Sequence, residues 1–68
     1  MTLRLTASFQ EEDGLVVATC IETGIASQGR TADEALANLR EALELFFEDE
    51  PAPPKYPQVF VTSIEVAV

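Results

Sequence analysis

The 68-residue sequence has no histidine, one cysteine, three glycines and only four basic residues. Each shortage removes a class of function. Without an imidazole, Cys20 has no base to make it a nucleophile and no companions to hold zinc. A single cysteine also rules out an internal disulfide. Arg4, Arg30, Arg40 and Lys55 are too few for the basic footprint that direct nucleic-acid binding needs. Gly14, Gly24 and Gly29 are too sparse for a phosphate cradle. Ser27-Gln28-Gly29 lacks the base and the flanking glycine pattern of a nucleophile elbow. No apolar run approaches the roughly 18 residues of a membrane span, and Met1-Thr2-Leu3-Arg4 carries no signal-peptide pattern. A free cysteine without an export signal predicts a cytoplasmic protein. No catalytic residue, cofactor or metal is expected, and the chain does not read as an enzyme.

What is present is acid and apolar surface. Twelve acidic residues give a net charge of −8, and 47% of the residues are hydrophobic. The hydrophobic content argues against disorder. An acidic surface suits a basic protein partner, through steering and complementarity, although solubility alone would also account for it. The length predicts one domain over 1–68 that buries only about 60% of its unfolded surface. With neither a disulfide nor a metal to help, self-association is the remaining common source of stability.

Along the chain, Leu3, Leu5, Ala7 and Phe9 alternate with polar residues, as in a half-buried strand. Asp13-Gly14 then signals a hairpin. A second strand is expected over 15–21, apolar on both faces, with Val16, Ala18 and Cys20 on one side and Leu15, Val17 and Ile21 on the other. Glu22-Thr23-Gly24 reads as a turn and 25–27 as a short third strand, antiparallel to the second. Gly29 is expected to break that strand with a positive φ. Thr31 and Glu34 form a capping box: the threonine hydroxyl accepts from the N–H of Glu34, and the Glu34 carboxylate reaches back to the N–H of Thr31. The helix should run from about 32 to 47 or 48, with Ala35, Leu36, Leu39, Leu43, Phe46 and Phe47 in its apolar arc. Pro51, Pro53, Pro54 and Pro57 predict a stiff extended connector.

A last strand is expected over 59–68. Phe60, Thr62, Ile64, Val66 and Val68 share one face; Val59, Val61, Ser63, Glu65 and Ala67 share the other. The predicted class is α+β: two layers in the order β-β-β-α-β, with about four strands in a mixed sheet and one amphipathic helix on one face. A right-handed crossover would set the last strand parallel to the first, beside it. The uncovered face would then be apolar, as interfaces are. Either Phe60, Ile64, Val66 and Val68 or Val59, Val61 and Ala67 should therefore lie at the interface of a homo-oligomer, a dimer or a tetramer.

Glu41, Glu44 and Glu48 recur at helical spacing. This makes a solvated face rather than an acid–base dyad, since a catalytic carboxylate needs a pocket to shift its pKa. Leu45 falls in the same polar arc, where an isolated leucine is either incidental or a partner contact. Glu11, Glu12 and Asp13 do not match a calcium loop and are explained by the hairpin.

The stretch Glu12-Asp13-Gly14, Val17-Ala18-x-Cys20, Gly24-x-x-Ser27-Gln28-Gly29-x-Thr31 and Glu34-Ala35-Leu36-x-Asn38-Leu39-x-Glu41-Ala42-Leu43-Glu44-Leu45 resembles the HicB-like antitoxin family. The resemblance covers about 9–48 well and the closing segment loosely. It implies a partial RNase H-like fold and a partner, a small basic mRNA-cleaving toxin of the HicA type, whose active site the antitoxin masks. Glu41, Leu45, Glu44 and Glu48 are then the expected partner-binding residues. Gly14, Gly24, Gly29, Thr31 and Glu34 are the expected structural ones. Two departures narrow the inheritance. Many members carry prolines between the second and third strands, where this chain has Cys20-Ile21-Glu22-Thr23. Full-length members also continue into a DNA-binding domain that is not expected here, so operator binding is not inherited. The alternative reading is a structural or regulatory homo-oligomeric binding module with no toxin partner.

Overall fold

A computed structural model describes residues 2–50 and 54–68. It is an α+β arrangement in the order β1 (Ala7–Glu12), β2 (Leu15–Cys20), β3 (Ala26–Gly29) and α1 (Ala32–Phe46). Among the described residues the sheet has three strands in the order β1-β2-β3, antiparallel throughout.

The first hairpin follows from its two turn residues. Asp13 and Gly14 both hold positive φ, 51° and 80°, as a two-residue turn of type I′ requires. Glu12 consequently pairs with Leu15, and the register runs without a slip to Ala7 opposite Cys20. At the next turn Gly24 holds φ 79°, and its N–H donates to the Cys20 carbonyl at 2.8 Å. The positive φ expected at Gly29 is not found, because Gly29 ends β3 in a conformation open to any residue. Glycine is needed there for space: a Cβ would sit 2.6 Å from the Ala35 nitrogen and 2.9 Å from the Glu34 carbonyl carbon. The third strand is correspondingly shifted towards the helix, covering Ala26–Gly29 rather than 25–27.

The helix begins as its cap dictates. Thr31 is extended (φ −130°, ψ 165°), and its Oγ1 accepts from the Glu34 N–H at 3.1 Å. The return half of the box differs from expectation. Glu34 Oε1 accepts from the N–H of Arg30 at 3.0 Å, one residue before the cap, because the extended Thr31 leaves the Arg30 N–H within the carboxylate's reach. At the other end no basic residue occupies the last turn. The chain leaves through tight bonds from Phe47 N–H to Leu43 O and from Glu50 N–H to Phe47 O, both 3.0 Å.

The helix packs on β2 and β3. Ala18, Cys20, Ala35 and Leu39 are the fully buried apolar residues among those described, with Leu5, Ala7, Val16, Ile25 and Leu43 packed around them. Leu39 is the one long aliphatic chain in that set, so the interior is small. The helix sits asymmetrically on the sheet. Strand β1 lies beyond it, and Phe9 on that strand stays 47% exposed.

The largest departure from the sequence reading is at the end. Residues 54–68 form no strand, so Val59, Phe60, Val61, Ile64, Val66 and Val68 are not in the sheet of their own chain. The physical reason is local: an alternating apolar pattern makes a segment competent to pair but does not say with which edge. The expected connector through Pro51 and Pro53 lies partly outside the described residues. From Pro54 onward it is irregular.

Candidate functional site

The helix packs on β2 and β3 and leaves β1 largely uncovered, so that an open groove of about 640 Å³ runs along residues 2–7, where the chain enters β1. Leu3, Leu5, Ala7 and Cys20 line its floor; Leu36, Leu39, Leu43 and Phe47 line the helix wall. Arg40 and Glu44 stand at its edge. The groove exists because the apolar arc of α1 is wider than the two strands beneath it. Ala35 and Leu39 are consumed in the core, while Leu36 is left 38% exposed. Among the described residues the outer backbone edge of β1 pairs with no strand. A groove with aliphatic walls and an open strand edge can accept an extended polypeptide, whose main chain satisfies the edge while its side chains fill the groove.

The groove's floor is held by a carboxylate latch. Thr6 N–H donates to Glu22 Oε1 at 2.8 Å, Thr6 Oγ1–H donates to Oε2 at 2.9 Å, and the Cys20 thiol points at Oε1 from 3.7 Å. The Ile21 N–H donates to the Thr6 carbonyl at 2.9 Å. These contacts tie the segment before β1 to the turn after β2. The Thr6 backbone donor chiefly, and its hydroxyl with it, hold the Glu22 carboxyl below its ordinary value of 4.5, against an opposing desolvation. Beside this latch a second cleft of about 390 Å³ lies between Tyr56, Pro57, Gln58 and Val59 on one side and Leu3, Arg4, Thr6 and Glu22 on the other. The closing segment therefore starts next to the groove. Beyond that root Phe60 is 83% exposed, Ile64 81% and Val66 72%.

The expected partner-binding residues lie on the outer face of α1. Glu44, Leu45 and Glu48 are exposed, Leu45 by 65%, and Glu41 is exposed beside them. They do not form one patch around the groove. Glu44 stands at its rim. Asn38, whose side chain donates to the Gln28 carbonyl at 2.9 Å, marks the opposite flank over β3, where helical spacing also puts Glu41 and Leu45. Cys20 is a buried, free core thiol, as its place in β2 predicts. The sequence reads Glu22 as a turn residue. The latch between Thr6 and Glu22 spans 16 residues and has no periodic signal. The groove could have been anticipated from an apolar arc too broad for a sheet with one edge uncovered.

Among the described residues no group of three or more histidine, cysteine or acidic side chains is placed to hold a metal ion, and no helix is long and apolar enough to cross a membrane. No curated protein and no solved structure shows significant similarity to the chain. One family does match, from residue 6 to residue 66, taking in the sheet, the helix and most of the closing segment, and the chain belongs to this family of unknown function (DUF7387).

Proposed function

We propose that this protein is a cytoplasmic, non-enzymatic binding domain of the HicB-like antitoxin type, which neutralises a small basic HicA-like mRNA-cleaving toxin. The observation that carries this reading is the acidic outer face of α1. Glu41, Glu44 and Glu48 share the exposed side of α1 and its end with the exposed Leu45, in a chain of net charge −8. Carboxylates alongside an exposed apolar side chain suit a basic partner: the charges steer the encounter and the leucine supplies a buried contact. The protein acts without a cofactor, does not itself bind nucleic acid, and works as a dimer or tetramer. Its complete sheet is four-stranded and partial RNase H-like, with 59–68 as the fourth strand.

The test is co-purification from the native organism followed by reconstitution. The expected result is a basic protein of toxin size whose RNA cleavage is abolished by this chain. Reversing Glu41, Glu44 and Glu48 to lysine should weaken the pair, and added salt should slow its association. Recovery of a self-assembled protein alone, inert towards any such nuclease, would replace this reading with the second one. That reading, a homo-oligomeric binding module without a toxin, is favoured by the exposed apolar side chains of 59–68 and the open groove beside β1.

A further inference from the structure

We propose that residues 59–68 are an exchanged strand: the arm of one copy pairs with the open outer edge of β1 in a second copy and lays an apolar face in that copy's groove. The occupant of the groove is thus a second copy of this chain. The proposal is independent of the antitoxin reading, since it needs no other partner.

Surface area points to exchange. A compact monomer of 7.4 kDa should expose roughly 4,200 Å², whereas this chain exposes 5831 Å². The excess is about 1,600 Å² per chain, or about 3,200 Å² for two, which falls in the class of obligate homodimers. The radius of gyration agrees: 13.8 Å, against about 11 Å for a compact chain of this length. The arm contributes to the excess, since Phe60, Val61, Ile64, Val66 and Val68 are each at least two-thirds exposed.

Arm and groove also fit each other. The arm alternates with period two, so one face presents Phe60, Ile64, Val66 and Val68 together. The groove offers the complementary aliphatic wall of Leu36, Leu43 and Phe47, with Leu3 and Leu5 on its floor. Ten extended residues span about 33 Å, more than the six residues of β1 (Ala7–Glu12). An unpaired strand edge is a template for a strand from another chain. The arm is rooted in the right place. Tyr56, Pro57, Gln58 and Val59 line one side of a cleft whose other side is Leu3, Arg4, Thr6 and Glu22, so the arm starts next to the groove, which Leu3, Arg4 and Thr6 also line. Pro57 stiffens that start against folding back. Exchange of an identical element between copies uses the contacts that a closed monomer would use, and needs no separately evolved surface. The family match includes the arm as far as residue 66, so the arm belongs to the unit that recurs.

The experiment uses the full chain. Isotope-labelled and unlabelled protein are mixed, unfolded and refolded together, and isotope-filtered nuclear Overhauser spectra select contacts between copies. Sedimentation equilibrium at micromolar concentration gives the oligomeric state. The expected result is a dimer, or a tetramer built from such dimers, with contacts between copies from Phe60, Ile64 or Val66 to Leu3, Leu36 or Leu43. The double variant Phe60→Asp, Ile64→Asp should weaken dimerisation at least 100-fold. Should that variant fail to fold, the wild-type spectra still decide. A stable monomer, a dimer whose arms pack in their own grooves, or a dimer in which arm pairs with arm would each overturn the proposal.

Discussion

Two residues carry more structure than their type suggests. Gly29 is required because helix α1 approaches β3 until a Cβ would press on the backbone of Glu34 and Ala35. Backbone cannot rotate aside as a side chain can. Gly29→Ala should therefore destabilise the fold by about 1–3 kcal/mol through overpacking, read as a lower urea midpoint. An unchanged midpoint would show that the helix can shift at no cost. Glu22 is the second. Its carboxyl is held below 4.5 by the Thr6 donors, so the folded state binds a proton less readily than the unfolded state. The stability it contributes is present above that ordinary value and is lost as pH falls through the lower folded one. Wild type and Glu22→Gln should thus differ in urea midpoint at neutral pH and converge as pH falls below the ordinary value and through the lowered one. A difference that stays constant with pH would mean that the latch does not titrate with folding.

The helix is the element on which the small interior depends. Its start rests on one side-chain acceptor, Thr31 Oγ1 at 3.1 Å from the Glu34 N–H. Its end has no basic residue to offset the carbonyl dipole. Thr31→Ala should cost about 1 kcal/mol, measured by denaturant titration with the slope unchanged. Leu39 is the largest fully buried side chain among the described residues. Leu39→Ala should cost about 2–5 kcal/mol, a large share of the stability of so short a domain. A cost below about 1 kcal/mol would mean that the helix swings onto the sheet to close the space. The capping box was legible in the sequence because its partners lie three residues apart. The Glu34 carboxylate's meeting with Arg30 rather than Thr31 depends on the backbone angles at the cap, which residue types do not specify.

For the molecule as a whole, charge and apolar surface pull against each other. A net charge of −8 keeps chains apart, while exposed Phe60, Val61, Ile64, Val66 and Val68 draw them together. Near the sequence pI of about 4.1 the repulsion vanishes, and in the same range the Glu22 latch begins to fail. The protein should therefore precipitate or form large assemblies on acidification to about that pH, which light scattering along a pH titration measures. The double variant Phe60→Asp, Ile64→Asp should remain clear at acidities where wild type has already clouded.

Residue order alone dictates the features whose causes lie within a few positions. Asp13 and Gly14 can take positive φ together, so the hairpin and its register follow. The apolar residues of 15–20 suit a central strand. Thr31, Glu34 and the spacing of Ala35, Leu39 and Leu43 define the helix and its buried face. Other features arise only in the folded chain, because their causes lie between segments far apart. Gly29 owes its identity to the closeness of the helix, Glu22 to Thr6 sixteen residues earlier, and the groove to a helix wider than the two strands it covers. The segment 59–68 is the clearest case. Its alternation makes it competent to pair as a strand, but a strand is completed by an edge, and nothing in a single sequence says whether that edge belongs to the same chain or to another.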